Sequence, residues 1–267
     1  MTDISNEVIT QAQSGNAQAL DALVRGIQDN VHRLARRMLV DPELAQDATQ
    51  EILIRVVTKL STYRGQAAFR TWVYRVATNY LLTARKARAA ELGLSFQAFS
   101  DDLLNGLVDD VQAAPETHVL LNELRVNCTM AMLLCLDPDH RAAYVLGEVL
   151  EMEHREASDI LDIPPATYRK RLSRARGRVE SFTRSTCGLA NDAAACSCPR
   201  RLPAAIASGR VPPEPMLTDA PDYAAVRDQA RRMQADLVTA KLQRATGTLP
   251  APEGLAGQVL NIVIPAG

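Results

Sequence analysis

The sequence predicts an all-α protein in which two small helical domains are joined by an acidic linker and followed by a partly helical C-terminal extension. Three observations carry that expectation. Apolar residues make up 47% of the 267-residue chain while aromatics are only 4%, a balance that suits helices with small aliphatic cores better than a β-sandwich. Apolar positions recur at three- and four-residue spacing over long stretches. Charge is also segregated, although the formal total is −1: residues 20–90 hold twelve Lys/Arg against six Asp/Glu, residues 91–118 hold acids and no base, and residues 166–185 hold seven basic side chains against Glu180 alone. A near-neutral total argues against a nucleic-acid partner, whereas two basic modules separated by an acidic tether argue for one.

The first helix begins at Asn16, a residue suited to an N-cap, and runs to Met38 with Leu20, Leu23, Val24, Ile27, Val31, Leu34 and Ala35 on its apolar face. Asp41-Pro42 ends it and starts a second helix to Leu60, whose stripe is Leu44, Ala48, Ile52 and Val56. A third helix follows the turn at 61–66 and spans about Ala68 to Ala89, burying Phe69, Trp72, Val73, Val76, Ala77, Tyr80 and Leu81. These helices make a first domain over 17–90. Residues 91–118 contain turn formers and acids with short apolar clusters, as expected of a tether with at most one loose helical turn.

A second domain is expected over 119–185. Within it Asp137-Pro138 opens a helix to Val149, a short helix covers Glu153 to Leu161, Ile163-Pro164-Pro165 makes a turn, and a very basic helix runs from Ala166 to Phe182. A short helix, a turn of helix breakers and a basic helix form a helix-turn-helix pattern. The extension, 186–267, brings Cys187, Cys196 and Cys198, a Pro-rich stretch, a helix over Tyr223–Arg244 and a terminal apolar run, Val259–Ile264.

Three groups of side chains could carry chemistry. On the basic helix Leu172, Ala175 and Val179 share a face, which leaves Arg169, Lys170, Arg174 and Arg176 to point elsewhere; Arg169, Lys170, Arg171 and Arg174 are the candidates to enter a major groove, with Tyr168 beside them and Thr167 near the helix N-terminus to hold a phosphate. A solvated face on a structural helix is the rival reading, and the preceding short helix and double-Pro turn decide for DNA. On the third helix Arg70, Tyr74, Arg75, Asn79, Arg85 and Lys86 interleave aromatic, amide and basic groups, as suits bases held out of a duplex while cations grip phosphates. Phe69, Trp72 and Tyr80 lie on the apolar stripe and are expected in the core. On the second helix Asp47, Gln50 and Glu51 form a patch that is either a solvated face or a dock for a basic protein surface.

Taken in order, Ala45-Gln46-Asp47-Ala48-Thr49-Gln50-Glu51-Ile52-Leu53, Phe69 through Asn79, and Leu161 through Arg176 resemble the blocks of extracytoplasmic-function (group IV) sigma factors of the sigma-70 family, over about residues 17–185. That resemblance implies a promoter-reading subunit of RNA polymerase with no catalytic residue of its own and no required cofactor. Asp47, Gln50 and Glu51 would match the docking surface for the β′ clamp helices, Phe69 to Arg85 the capture of the minus-ten element, and the basic helix the reader of the minus-thirty-five element. The β flap, promoter DNA and an anti-sigma factor are further partners it implies, together with an envelope, metal or redox stress signal. Pro164-Pro165-Ala166 and Tyr168 depart from the family's usual residues there, which leaves base preference open.

A stand-alone helix-turn-helix regulator is the alternative, and it gives no role to the first domain's acidic patch. An enzyme is not expected, since the sequence holds no phosphate-cradling Gly loop, H-E-x-x-H or nucleophile elbow. The N-terminus has no basic stretch followed by an apolar core, and no run reaches transmembrane length, so a cytoplasmic protein without membrane insertion is expected. Cys187, Cys196 and Cys198 are either ligands for zinc or copper(I), a reversible disulfide pair, or unpaired thiols. Cys128 and Cys135, seven apart on one helix, are expected in the core.

Overall fold

The computed structural model describes residues 4–86, 94–108, 118–212, 221–233 and 235–264, the side chains of 84–86 and 235–237 excepted. It is all-α among the described residues, apart from an isolated parallel β-bridge between Cys187 and Cys196. No helix among them is long and apolar enough to cross a membrane. The chain forms two compact units, one of residues 1–91, 153–168 and 249–267, the other of residues 92–152 and 169–248.

In the first unit, α1 (Asn6–Gln13) is capped by Ser5 and went unforeseen because only Ile9 and Ala12 are buried on it. Helix α2 (Ala17–Leu39) starts where the sequence placed it, the Ala19 N–H donating to Asn16 Oδ1 at 3.0 Å. Helix α3 (Pro42–Thr58) takes Pro42 in its first turn, where a missing N–H is harmless, and Asp41 Oδ1 accepts the Leu44 N–H at 3.0 Å. These two pack together and on α4 (Phe69–Lys86). The predicted stripes meet there: Leu23, Val24, Ile27, Leu34 and Met38 bury against Ile52, Leu53 and Val56, with Val73, Ala77 and Leu81 from α4. A polar tie crosses this core, His32 Nδ1 lying 3.0 Å from Thr49 Oγ1.

In the second unit, α5 (Phe96–Leu104) corrects the expectation of a tether with one loose helical turn, the remainder of which lies largely outside the described residues. Ser95 Oγ caps it by accepting the Ala98 N–H at 3.1 Å, and Phe96 and Phe99 set their rings 5.2 and 5.5 Å from Phe182. Those aromatic contacts supply the burial that local composition did not announce. Helix α6 (His118–Leu134) is the unit's spine. The fully buried Arg141 closes its C-terminal end, donating to the Leu133 carbonyl, which also accepts the Leu136 N–H at 3.2 Å, and to the Leu136 carbonyl just past the helix. Helix α7 (Pro138–Tyr144) runs directly into one π-helical turn, Val145–Val149.

Helix α8 (His154–Leu161) belongs to the first unit, and α9 (Pro165–Thr186) begins there and continues into the second. The extension is built into both units. Helices α10 (Cys198–Ala207), α11 (Tyr223–Arg231) and α12 (Ala235–Arg244) pack around α6 in the second. Thus the single helix expected over Tyr223–Arg244 is two, a break that lets Tyr223, Val226 and Ala230 on one piece and Val238 and Leu242 on the other reach a common core with Leu121 and Leu124. Helix α13 (Leu255–Val263) absorbs the terminal apolar run and packs on α2 and α3 of the first unit, with Leu255, Ala256 and Val259 buried and Asp29 Oδ1 accepting the Ala251 N–H at 3.0 Å.

Candidate nucleic-acid interface

The helix-turn-helix forms because α8 stops abruptly. Asp162 caps it at φ 53°, a left-handed conformation that an Asp tolerates better than a bulky residue. The Ile163 N–H returns to the Ser158 carbonyl at 3.1 Å, and Pro165 opens α9 with its φ already helical.

Helix α9 then divides as the periodicity predicts. Leu172, Ala175, Val179 and Phe182 are buried, while Arg169, Lys170 and Arg174 are exposed. Thr167 is half-buried at the N-terminal turn. Arg171 is half-buried and held 3.2 Å from Asp139, so it acts in the scaffold as well as at the surface. Tyr168 is corrected outright: it is fully buried, its ring 5.6 Å from that of His154. The phenol that the motif set among the DNA contacts is the wedge that seats the start of α9 on α8. Further along, Arg176 Nε donates to Glu148 Oε1 at 3.0 Å, and Arg244 Nε reaches the Glu148 carbonyl at 2.7 Å.

On α4 the sequence-predicted residues part company. Tyr74 is 5% exposed and packs beside the guanidinium of Arg70, 5.9 Å from the ring centre, so it is a core residue rather than a nucleic-acid contact, and burial raises its phenol above the usual value. Asn79 is exposed. Arg70 stands 3.4 Å from Glu156 of α8, which also accepts from Thr71 at 3.3 Å, and Arg75 Nε donates to the Asp159 carbonyl at 3.0 Å. The first helix of the helix-turn-helix therefore occupies part of the α4 face that was predicted to meet nucleic acid. The side chains of Arg85 and Lys86 lie outside the described residues.

The aromatic expectation is revised in the opposite sense for two residues. Trp72 and Tyr80, read as core, are only half-buried. They border an open groove of about 550 Å³ with Arg55, Lys59, Arg75 and Asn79. Trp72 stacks on Phe69 at 5.7 Å and meets Tyr63 at 5.6 Å, while Arg55 covers the Tyr80 ring at 4.6 Å. Arg55 and Lys59 were missed as site residues. Their signal was available: they stand four apart at the end of α3, beside the aromatic residues of the next helix.

Asp47, Gln50 and Glu51 lie together on α3, Asp47 exposed and the other two half-buried. Glu51 is tied to Arg55 at 2.8 Å, which joins the acidic patch to the edge of the aromatic groove.

Of the cysteines, Cys135 is half-buried and apart from the others, and burial pushes its thiol up to about 12. Cys187, Cys196 and Cys198 line one small cavity, and Cys128, expected in the core, lines it with them. Burial raises all four thiols, Cys196 to about 11, which leaves them poor nucleophiles as free thiols.

Comparison with known proteins places two matches on this geometry. Residues 23–91 match the family model Sigma-70 region 2, and residues 127–179 match Sigma-70, region 4. The chain is 28% identical over 177 residues to the RNA polymerase sigma-H factor of Pseudomonas aeruginosa, covering 65% of this chain and 91% of that protein. It is 29% identical over 180 residues to the ECF RNA polymerase sigma factor SigW of Bacillus subtilis, covering 63% and 90%. A solved structure of CnrH in complex with the cytosolic domain of CnrY aligns at a TM-score of 0.47 with 20% identity, over 67% of this chain and 97% of that one.

Proposed function

Because the chain belongs to the extracytoplasmic-function branch of the sigma-70 family, we propose that its own residues divide promoter recognition as follows. Exposed Arg169, Lys170 and Arg174, with Thr167 at the helix start, contact the minus-thirty-five element through its phosphates and base edges. The groove bordered by Trp72, Tyr80, Asn79, Arg75, Arg55 and Lys59 receives unstacked bases of the minus-ten element, the rings stacking and the cations neutralising phosphate. Asp47, Gln50 and Glu51 dock on the basic clamp helices of the polymerase β′ subunit, and the second unit meets the β flap. The family is not enzymatic, and in this reading the chain supplies recognition in the cytoplasm while core polymerase supplies the chemistry.

One observation supports this reading above the rest: a short helix, a left-handed stop and a proline-started helix expose Arg169, Lys170 and Arg174 while burying the opposite face. The contacts of Glu156 and Asp159 with the α4 face further imply that α8 leaves α4 when the minus-ten element is engaged. An anti-sigma factor responding to envelope, metal or redox stress is a partner of the same reading, and it would hold that face covered.

Run-off transcription with core polymerase on genomic DNA fragments tests the assignment. The expected result is discrete products that require this chain and are lost when Asp47 and Glu51 are both replaced by Ala. Specific DNA binding without any association with core polymerase would instead establish a stand-alone helix-turn-helix regulator.

A further inference from the structure

We propose that Cys128, Cys187, Cys196 and Cys198 form a tetrathiolate site for a zinc ion, which ties α6 to the segments that follow α9. The inference does not depend on the promoter reading, and it adds Cys128, a helix residue distant in sequence, to the three clustered thiols.

Three pieces of chain converge to make the site. Cys128 comes from α6. Cys187 directly follows α9, its N–H still donating to the Thr183 carbonyl at 2.9 Å. Cys196 pairs with it in the β-bridge, where the Gly188 N–H donates to the Cys196 carbonyl at 2.8 Å. A side chain at Gly188 would place its Cβ 2.9 Å from that carbonyl oxygen, so only glycine lets the two cysteine-bearing segments approach this closely. Cys198 stands at the first position of α10, whose rigid Cys198-Pro199 start fixes its direction. All four line a single cavity of about 30 Å³, otherwise walled by side chains such as Leu124 and Leu189.

A bare apolar cavity would need no charge beside it, yet two guanidiniums face this one. Arg125 is 1% exposed and Arg201 4% exposed, and both line the cavity. Arg201 is partnered by Asp102 at 3.3 Å. Among the described residues Arg125 donates hydrogen bonds to neutral acceptors, Asn122 Oδ1 at 2.9 and 2.6 Å and the Pro221 carbonyl at 3.3 Å, its Nη1 makes none, and the Asp222 carboxylate acts on it through space without a hydrogen bond. A buried cation that is hydrogen-bonded to no anion is unfavourable. Four thiolates around a divalent ion carry a net charge of −2, which supplies that anion. The Tyr223 hydroxyl, hydrogen-bonded to Cys198, adds the kind of outer contact that orients a ligating sulfur.

Among the described residues no three His, Cys, Asp or Glu side chains already stand gathered as an ion would hold them. The step is therefore closure: each thiol loses its proton to solvent, four S–Zn bonds form, and the sulfurs draw inward to about 2.3 Å from the metal in a tetrahedron. Zinc is favoured over copper(I) because four soft donors without an open position are the structural zinc arrangement.

The test is the zinc content and sulfur coordination of the purified full-length chain, with added zinc as the probe. One zinc per chain is expected, with X-ray absorption showing four sulfurs in its first shell, and the same for Cys135→Ser. Cobalt(II) in place of zinc is expected to give thiolate charge-transfer absorption. Cys128→Ser is expected to lower zinc affinity by a hundredfold or more. Fewer than four sulfurs, no thiolate absorption with cobalt, uptake of copper(I) alone, or undiminished affinity in Cys128→Ser would each overturn the proposal. The absorption measurement needs no variant, so it decides the matter even if Cys128→Ser fails to fold.

Discussion

Replacing His32 by Gln is expected to flatten the acid sensitivity of the first unit. His32 is 5% exposed on α2 and its Nδ1 lies 3.0 Å from Thr49 Oγ1 on α3. The Thr49 hydroxyl spends its one proton on the Ala45 carbonyl, so it must accept from His32, which places the imidazole proton on Nδ1. Burial first, then the charge of Arg36, push the imidazolium down to about 4 from 6.5, with Asp29 acting in the opposite direction. The folded state thus disfavours the proton that the unfolded chain takes up, and stability contributed by neutral His32 is present above pH 6.5 and lost as pH falls towards 4. The full gap amounts to about 3 kcal/mol, of which about 2 kcal/mol is expressed by pH 5. Urea denaturation of the full chain followed by fluorescence of Trp72, the one tryptophan in the sequence, reads this unit directly. Between pH 7 and pH 5 the native chain should lose about 2 kcal/mol more than His32→Gln. Parallel losses in the two proteins would refute the argument and move the acid sensitivity to the carboxylates.

Two further substitutions separate packing from contact with DNA. Tyr168→Phe should leave promoter affinity within about twofold, whereas Tyr168→Ala should destabilise the fold by about 3–5 kcal/mol in a urea titration; loss of promoter binding by a well-folded Tyr168→Phe would show that the hydroxyl reaches DNA after all. Lys170→Ala and Arg174→Ala should each weaken binding of a promoter fragment and lower the slope of log affinity against log salt by about one where the side chain neutralises a phosphate. Unchanged slopes with intact affinity would remove both residues from the interface.

The three ordered blocks made the family legible, and helical periodicity located the scaffold to within a few residues. Asn16, Asp41-Pro42 and Asp137-Pro138 announced helix starts because capping is local chemistry, settled by groups within one turn. The segment at 96–104 escaped because a nine-residue helix with two buried side chains gains its stability from Phe182, far along the chain. Tyr74 and Tyr168 were misjudged for a related reason: an aromatic ring off the main stripe of its own helix can still be buried by a second helix that crosses it.

The sequence by itself determined the helical class, the helix-turn-helix, the exposure of Arg169, Lys170 and Arg174 on α9 and the clustering of acidic and basic charge, since each depends on spacing along one element. Tertiary structure alone decided which aromatics face the α4 groove, that Glu156 and Asp159 meet Arg70 and Arg75, and that Cys128 joins the thiols of the extension. Those relations link residues far apart in the chain, and spacing cannot specify what only the packing of separate helices brings together.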